Sequence, residues 1–241
     1  MPAAREPLLS VVIPARNEAE NLAELIPEIA AAVGSIPFEV VVTDDGSTDD
    51  TPAVLTRLAN TGLPVRRVAH RRSLGQSAGL HSGVRAAHGA LIVTLDGDGQ
   101  NDPAPIPEFV AKLTAPGIGL VAGQRVGRKA SLSKTVGSRI ANAVRRAALK
   151  DDTRDTGCGI KGFRRDAFLA LPYFDTMHRF LPALFLGDGW QVARIDVVDR
   201  DRRHGRSNYG IIDRLLIGIT DLFGVWWLLR RRRRNPLRLE H

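Results

Sequence analysis

The chain has 241 residues, 44% of them hydrophobic, and a formal net charge of +8 at pH 7. That length and apolar content can bury a proper core, and the single cysteine, Cys158, excludes an intramolecular disulfide and fits a reducing compartment. Aromatics make up only 5% and cluster among aliphatics, the opposite of a basic, aromatic-studded nucleic-acid surface.

The residues Met1–Pro7 lack an apolar signal core, so export is not expected. Leu8–Ile13 is a short apolar run ending at Pro14. Glu18–Ala32 has Leu22, Leu25, Ile26 and Ile29 at helical spacing. Phe38–Thr43 reads as a second strand, and Asp49–Ala59 as a helix capped by Ser47 or Thr48. Val65–Ala69, Ala90–Leu95 and Ile118–Ala122 are further strands; Gln76–Ala87 and Pro105–Leu113 are helices between them. Beyond these, Leu132–Leu149 reads as a long helix and Gly157–Phe163 as strand or loop. Trp190–Val198 reads as a strand, Asp201–Gly210 as a basic loop and Ile211–Leu229 as a final helix. Alternation of this kind implies an α/β fold, a mostly parallel sheet flanked by helices. Ligands of such sheets bind at the carboxyl ends of the strands.

Three polar motifs fall at those ends. Pro14-Ala15-Arg16-Asn17-Glu18 follows the first strand, where a dinucleotide-binding or phosphate-loop protein would carry its glycine signature, and none is present. Asp44-Asp45-Gly46-Ser47 follows the second, with a carboxylate able to accept from a nucleobase N–H or to cap the next helix. Asp96-Gly97-Asp98-Gly99-Gln100 follows the fourth. Two carboxylates two residues apart can aim at one hard divalent cation, and the glycines allow a tight turn and close ligand approach. A diphosphate bound through that cation is the natural substrate.

The order V-V-I-P-x-x-N-E from Val11, V-x-D-D-G-S-x-D from Val42 and L-D-G-D-G-Q-x-x-P from Leu95 resembles a family 2 glycosyltransferase with the GT-A fold. The segments Asp155–Arg164, His178-Arg179-Phe180-Leu181-Pro182 and Arg202-x-x-Gly205-x-Ser207-x-Tyr209-Gly210 narrow the likeness to the dolichol- and polyprenyl-phosphate sugar transferases. The resemblance covers about residues 8 to 230. It implies that Pro14, Arg16, Glu18, Asp96 and Asp44 or Asp45 line a nucleotide pocket. It also implies that Asp96, Asp98 and Gln100 surround Mg²⁺ or Mn²⁺, and that Asp98, Gln100, Arg125, Arg139, Arg202 and Ser207 form the catalytic set. The arginines among them would gather the acceptor phosphate and donor diphosphate, which a guanidinium fork grips bidentately. The implied reaction moves a sugar, with inversion, from a nucleotide-diphosphate sugar (a UDP-sugar expected) to polyprenyl phosphate. The alternative keeps fold and donor but takes a glycan or lipid headgroup, as in cell-envelope polysaccharide synthesis.

From Trp190 to His241 there are twelve Arg against six Asp and Glu, with five arginines in a row at Arg230–Arg234. Ile211–Leu229 approaches bilayer thickness, yet Asp213, Arg214 and Asp221 interrupt it. Ile212, Leu215, Leu216, Ile219, Leu222, Phe223 and Trp226 share a face, with Trp226 and Trp227 beside the arginine run. This pattern predicts an amphipathic helix lying in an anionic membrane surface. The expected organisation is therefore a glycosyltransferase domain over 1–210 and an interfacial helix with its basic tail over 211–241. The setting is peripheral, on the cytoplasmic face of the inner membrane, with an integral-membrane protein or a second copy as candidate partner. The competing arrangement packs the helix on the domain core.

Overall fold

A computed structural model describes residues 6–126, 145–146, 148–149, 151, 153, 155–201 and 211–231, with side chains of the last segment from Thr220 onward. Strands β1 (Leu9–Ala15), β2 (Phe38–Asp44), β3 (Val65–Ala69) and β4 (Leu91–Thr94) alternate with helices α1 (Ala19–Val33), α2 (Thr51–Asn60) and α3 (Gln76–Ala86). Helix α4 (Ile106–Leu113) leads to β5 (Ile118–Arg125). There follow β6 (Lys161–Arg164), α5 (Arg165–Leu169), a 3₁₀ turn (Met177–Arg179), α6 (Leu181–Gly187), β7 (Gln191–Val197) and α7 (Ile211–Arg231).

The sheet order is β3-β2-β1-β4-β6-β5-β7. All pairings are parallel except those of β6, which runs antiparallel to β4 and β5. The chain steps outward from β1 to β3 on one side, then returns to place β4 on the other side of β1. The carboxyl ends of β1 and β4 therefore border the point where strand order reverses, the crevice such sheets use for ligands.

The strands β1, β2 and β4 are buried on both faces. One face packs against the α1 stripe Leu22, Leu25, Ile26, Ile29 and Val33, together with Phe109 and Leu113 of α4. The other packs against Leu80 and Val84 of α3, Phe168 of α5 and Leu181, Leu184 and Phe185 of α6. Burying a large side chain of this kind stabilises by about 1.5–3 kcal/mol, so the strand ends are fixed by a two-sided core.

Two local expectations change. Helix α2 starts at Thr51, and neither Ser47 nor Thr48 caps it: the Asp49 carboxylate accepts the Thr51 N–H at 3.0 Å. The Ser47 hydroxyl instead accepts the Asn17 N–H at 2.9 Å, and Asn17 Oδ1 accepts the Thr48 N–H at 2.8 Å. Adjacent parallel strands bring their two following loops side by side, and the cap groups are spent across that gap. In α7 Val225 is buried and Leu222, Trp226, Leu228 and Leu229 pack against the second core cluster, while Phe223, expected on the same face, is 66% exposed and Trp227 49% exposed. Asp221, expected on the polar face, accepts the Thr176 hydroxyl at 2.5 Å. From Thr220 on, the helix thus rests on the domain, with Val225 in the second core cluster. No described helix is long and apolar enough to cross a membrane.

Candidate active site

A cleft of about 460 Å³ opens at the carboxyl end of β4. Asp96 stands in it, one residue past the buried Leu95. Its backbone N–H donates to Asn101 Oδ1 at 2.9 Å, and its carboxylate accepts from Gln76 Nε2 at 2.9 Å. Gly159 passes so close that a Cβ there would overlap the Asp96 carboxylate. Burial, and then the neighbouring Asp98, push the Asp96 carboxyl up to about 6. Gly99 lies at φ 72, the left-handed region that glycine enters freely. That turn sends Gln100 back, so that its N–H donates to Asp98 Oδ1 at 3.2 Å and its carbonyl accepts the Arg200 N–H at 2.8 Å.

The cleft wall opposite is cationic. Arg125, at the end of β5, is held by Asp155 (2.5 and 2.8 Å) and by Asp199 (3.2 Å). These hydrogen bonds and charges raise its already high pKa and fix the guanidinium. Lys161 opens β6 and donates to the Cys158 carbonyl; burial lowers its pKa, with Asp96 among the anions opposing the drop. Cys158 is buried and its thiol is pushed up to about 11, so it is inert. His178 and Arg179 come from the 3₁₀ turn. The His178 ring sits 2.7 Å from the Ser77 hydroxyl, and burial, with Lys161 and Arg179, lowers it to about 3. It is neutral at any physiological pH.

Of the residues singled out in the sequence, Pro14, Asp96 and Arg125 line this cleft. Asp98 and Gln100 form the turn beside it. Arg16 is exposed, and Glu18 accepts the Asn21 amide at 2.6 Å just outside. Asp44 and Asp45 are buried and engaged elsewhere. Asp44 accepts from Ser47 N–H and from the Arg67 fork at 2.6 and 2.9 Å. Asp45 accepts from His70, Ser73, Leu74 N–H and Gly75 N–H, all within 2.9 Å. Burial favours their neutral forms, but these donors outweigh it and hold both carboxyls below the usual range. Asp45 thereby shapes the loop that delivers Gln76 to Asp96. Arg139, Arg202 and Ser207 lie outside the described residues. Sequence reasoning missed Gln76, Lys161, His178 and Arg179 as cleft residues. Three of the four sit in segments whose likeness to the family was visible but carried no assigned role.

The donor set fits a divalent cation. A buried carboxylate raised by its neighbour's charge is relieved by a cation between the two. Among the described residues no third His, Cys, Asp or Glu converges there. Two carboxylates with phosphate oxygens and water completing the shell is the way Mg²⁺ is commonly held.

Comparison with known proteins agrees with the architecture. The chain is 35% identical over 232 residues to a dodecaprenyl-phosphate galacturonate synthase of Rhizobium johnstonii, covering 94% of this chain and 68% of that one. It is 32% identical over 207 residues to an undecaprenyl-phosphate 4-deoxy-4-formamido-L-arabinose transferase of Pectobacterium carotovorum, covering 85% and 63%. The chain thus spans about two thirds of the length of these relatives. A mannosyltransferase from Pyrobaculum calidifontis in complex with GDP-Man and Mn²⁺ shares the fold at TM-score 0.67 and 24% identity, over 96% of this chain and 66% of that one. Glucosyl-3-phosphoglycerate synthase from Mycobacterium tuberculosis with Mn²⁺, UDP and its product shares it at 0.63 and 23%, over 94% and 80%. The GT-A arrangement expected from the motifs is the one these structures share. Residues 10–171 match Glycosyl transferase family 2, and the chain belongs to that family.

Proposed function

We propose that this protein transfers a sugar, with inversion, from a nucleotide-diphosphate sugar to a polyprenyl phosphate at the cytoplasmic face of a membrane. The observation that carries the reading is Asp96 at the strand-order reversal, sharing one cleft with Arg125, Lys161 and Arg179, with Asp98 in the turn beside it. The activities of the two relatives, both sugar transfers to a polyprenyl phosphate, support the acceptor. UDP with Mn²⁺ or Mg²⁺ in fold neighbours supports a UDP-sugar donor and a divalent cation.

The bond from the anomeric carbon to the diphosphate breaks, its electron pair leaves with the nucleoside diphosphate, and an acceptor phosphate oxygen attacks the opposite face. A cation held by Asp96 and Asp98 would supply Lewis-acid stabilisation of the leaving charge. Lys161 and the doubly paired Arg125 are fixed positive groups that need no reorganisation as charge develops. The attacking oxygen of a phosphate monoester is already anionic near neutral pH, so positioning carries more of the rate than a general base. The neutral His178 is consistent with that.

Membrane association is supported by the exposed Phe223 and Trp227, and by Arg230 and Arg231 stacked on Trp226 and Trp227 at 4.1 and 5.3 Å. An apolar recess of about 310 Å³ among Ala148, Leu222, Phe223 and Trp226 lies on the same helix.

The test is incubation of the purified chain with Mg²⁺ or Mn²⁺, undecaprenyl phosphate and a panel of sugar nucleotides, with lipid-linked product read by mass spectrometry. Asp98→Asn should abolish turnover. An undiminished variant removes the carboxylate pair from the reaction, and product only with a glycan or headgroup acceptor transfers the assignment to that class.

A further inference from the structure

Arg179 differs from the other arginines near the cleft. Arg125 is saturated by Asp155 and Asp199. Arg200, whose N–H donates to the Gln100 carbonyl behind the Asp98 turn, pairs with Glu28 and Asp102. Arg179 lines the cleft, and its guanidinium has no acceptor or carboxylate partner among the described residues. Its backbone, by contrast, is held firmly. The N–H of Arg179 donates to the Thr176 carbonyl at 3.0 Å. Thr176 itself sits at φ 66, a strained setting for a β-branched residue, and its hydroxyl reaches Asp221 of α7 at 2.5 Å. A fixed backbone thus places at the cleft a half-buried cation that pairs with none of the described residues, a setting suited to an anionic ligand.

Position says which anion. Asp96, and with it the expected donor diphosphate, lies at the β4 end of the cleft. Arg179 lies on the turn tied to α7, and the next helix, α6, lays Gly187 against Leu229 of α7. An acceptor whose apolar chain lies along α7 would bring its head group to the cleft past this turn. His178 cannot share the charge, because it stays neutral, and Lys161 donates to the Cys158 carbonyl. Resting on the function proposed above, we infer that Arg179 binds the phosphate of the prenyl acceptor, separately from the groups that bind the donor diphosphate. An Arg fork holds two phosphate oxygens and leaves the third free to attack.

The experiment measures binding of farnesyl phosphate and of farnesol, and of UDP with Mg²⁺, to the full chain and to Arg179→Gln and Arg179→Lys, with thermal melts alongside. The wild type should bind farnesyl phosphate more tightly than farnesol. Arg179→Gln should lose at least tenfold in farnesyl phosphate affinity while farnesol and UDP stay within twofold, and Arg179→Lys should recover part of the loss. Unchanged farnesyl phosphate affinity in Arg179→Gln overturns the assignment, as does an equal loss for UDP. If the wild type itself shows no preference for the phosphate over farnesol, the acceptor reading falls and this inference with it. A preference kept by Arg179→Gln removes only the role of Arg179.

Discussion

His178 should make the fold acid-sensitive in a way that one substitution can isolate. Its ring is packed against Ser77 with Lys161 and Arg179 nearby, and its pKa falls from 6.5 to about 3. Between those values the unfolded chain binds a proton that the folded chain refuses, so stability is present above pH 6.5 and is lost as pH falls. At pH 5 the loss is set by the unfolded value alone, since the folded ring is still neutral there. It amounts to about 2 kcal/mol, or roughly 4–8 °C in melting temperature for a chain of this size. Asp96, raised to about 6, titrates with the opposite sign over the same window, so the wild-type curve alone mixes the two. His178→Gln removes only the imidazole; the amide can still accept from Ser77. The melting temperatures of wild type and variant, compared at pH 7.5 and pH 5, give the His178 contribution by difference. The variant should be less stable than wild type at pH 7.5, with the gap narrowing by about 2 kcal/mol at pH 5. A gap that stays constant across that range would refute the buried, neutral imidazole.

Gly159→Ala should disturb the carboxylate pair without touching its chemistry, because the added methyl meets Asp96 and Asn101 Oδ1. Turnover should fall by an order of magnitude or more, read beside a Mn²⁺ affinity that weakens in parallel; unchanged values for both would show that Asp96 moves freely. Replacing both exposed aromatics of α7, Phe223→Asp with Trp227→Asp, should leave the melt nearly unchanged. It should reduce co-sedimentation with anionic liposomes severalfold. Liposome binding indifferent to the substitutions and to salt would leave α7 as a packing helix only.

The sheet and the carboxylate pair were legible in the sequence because both are local signals. An apolar run followed by Pro14, or by Asp96-Gly97-Asp98, marks a strand end without knowledge of anything distant. The α2 cap failed for the complementary reason. Ser47 had the right chemistry, but Asn17, thirty residues away, competed for its hydroxyl, and only strand adjacency reveals that contest. Asp45 is drawn into a contest of the same kind, with four donors between His70 and Gly75 on its oxygens. Within α7, Asp221 reads as a polar-face residue until Thr176 appears opposite it.

Arginine is where sequence and structure diverge most usefully. A basic chain offers many guanidinium groups, and composition cannot rank them. What ranks them is the fate of their five donors. Arg125 gives its donors to two carboxylates, so its value to a ligand lies in a rigid, oriented positive edge. Arg179, which also lines the cleft, gives none of its side-chain donors to any described residue. Removing Arg125 would therefore strand Asp155 and Asp199 and disturb the fold, whereas removing Arg179 should leave the fold standing and alter only what the cleft can hold. The two arginines would look alike in an activity assay, and only stability measured beside ligand affinity separates them.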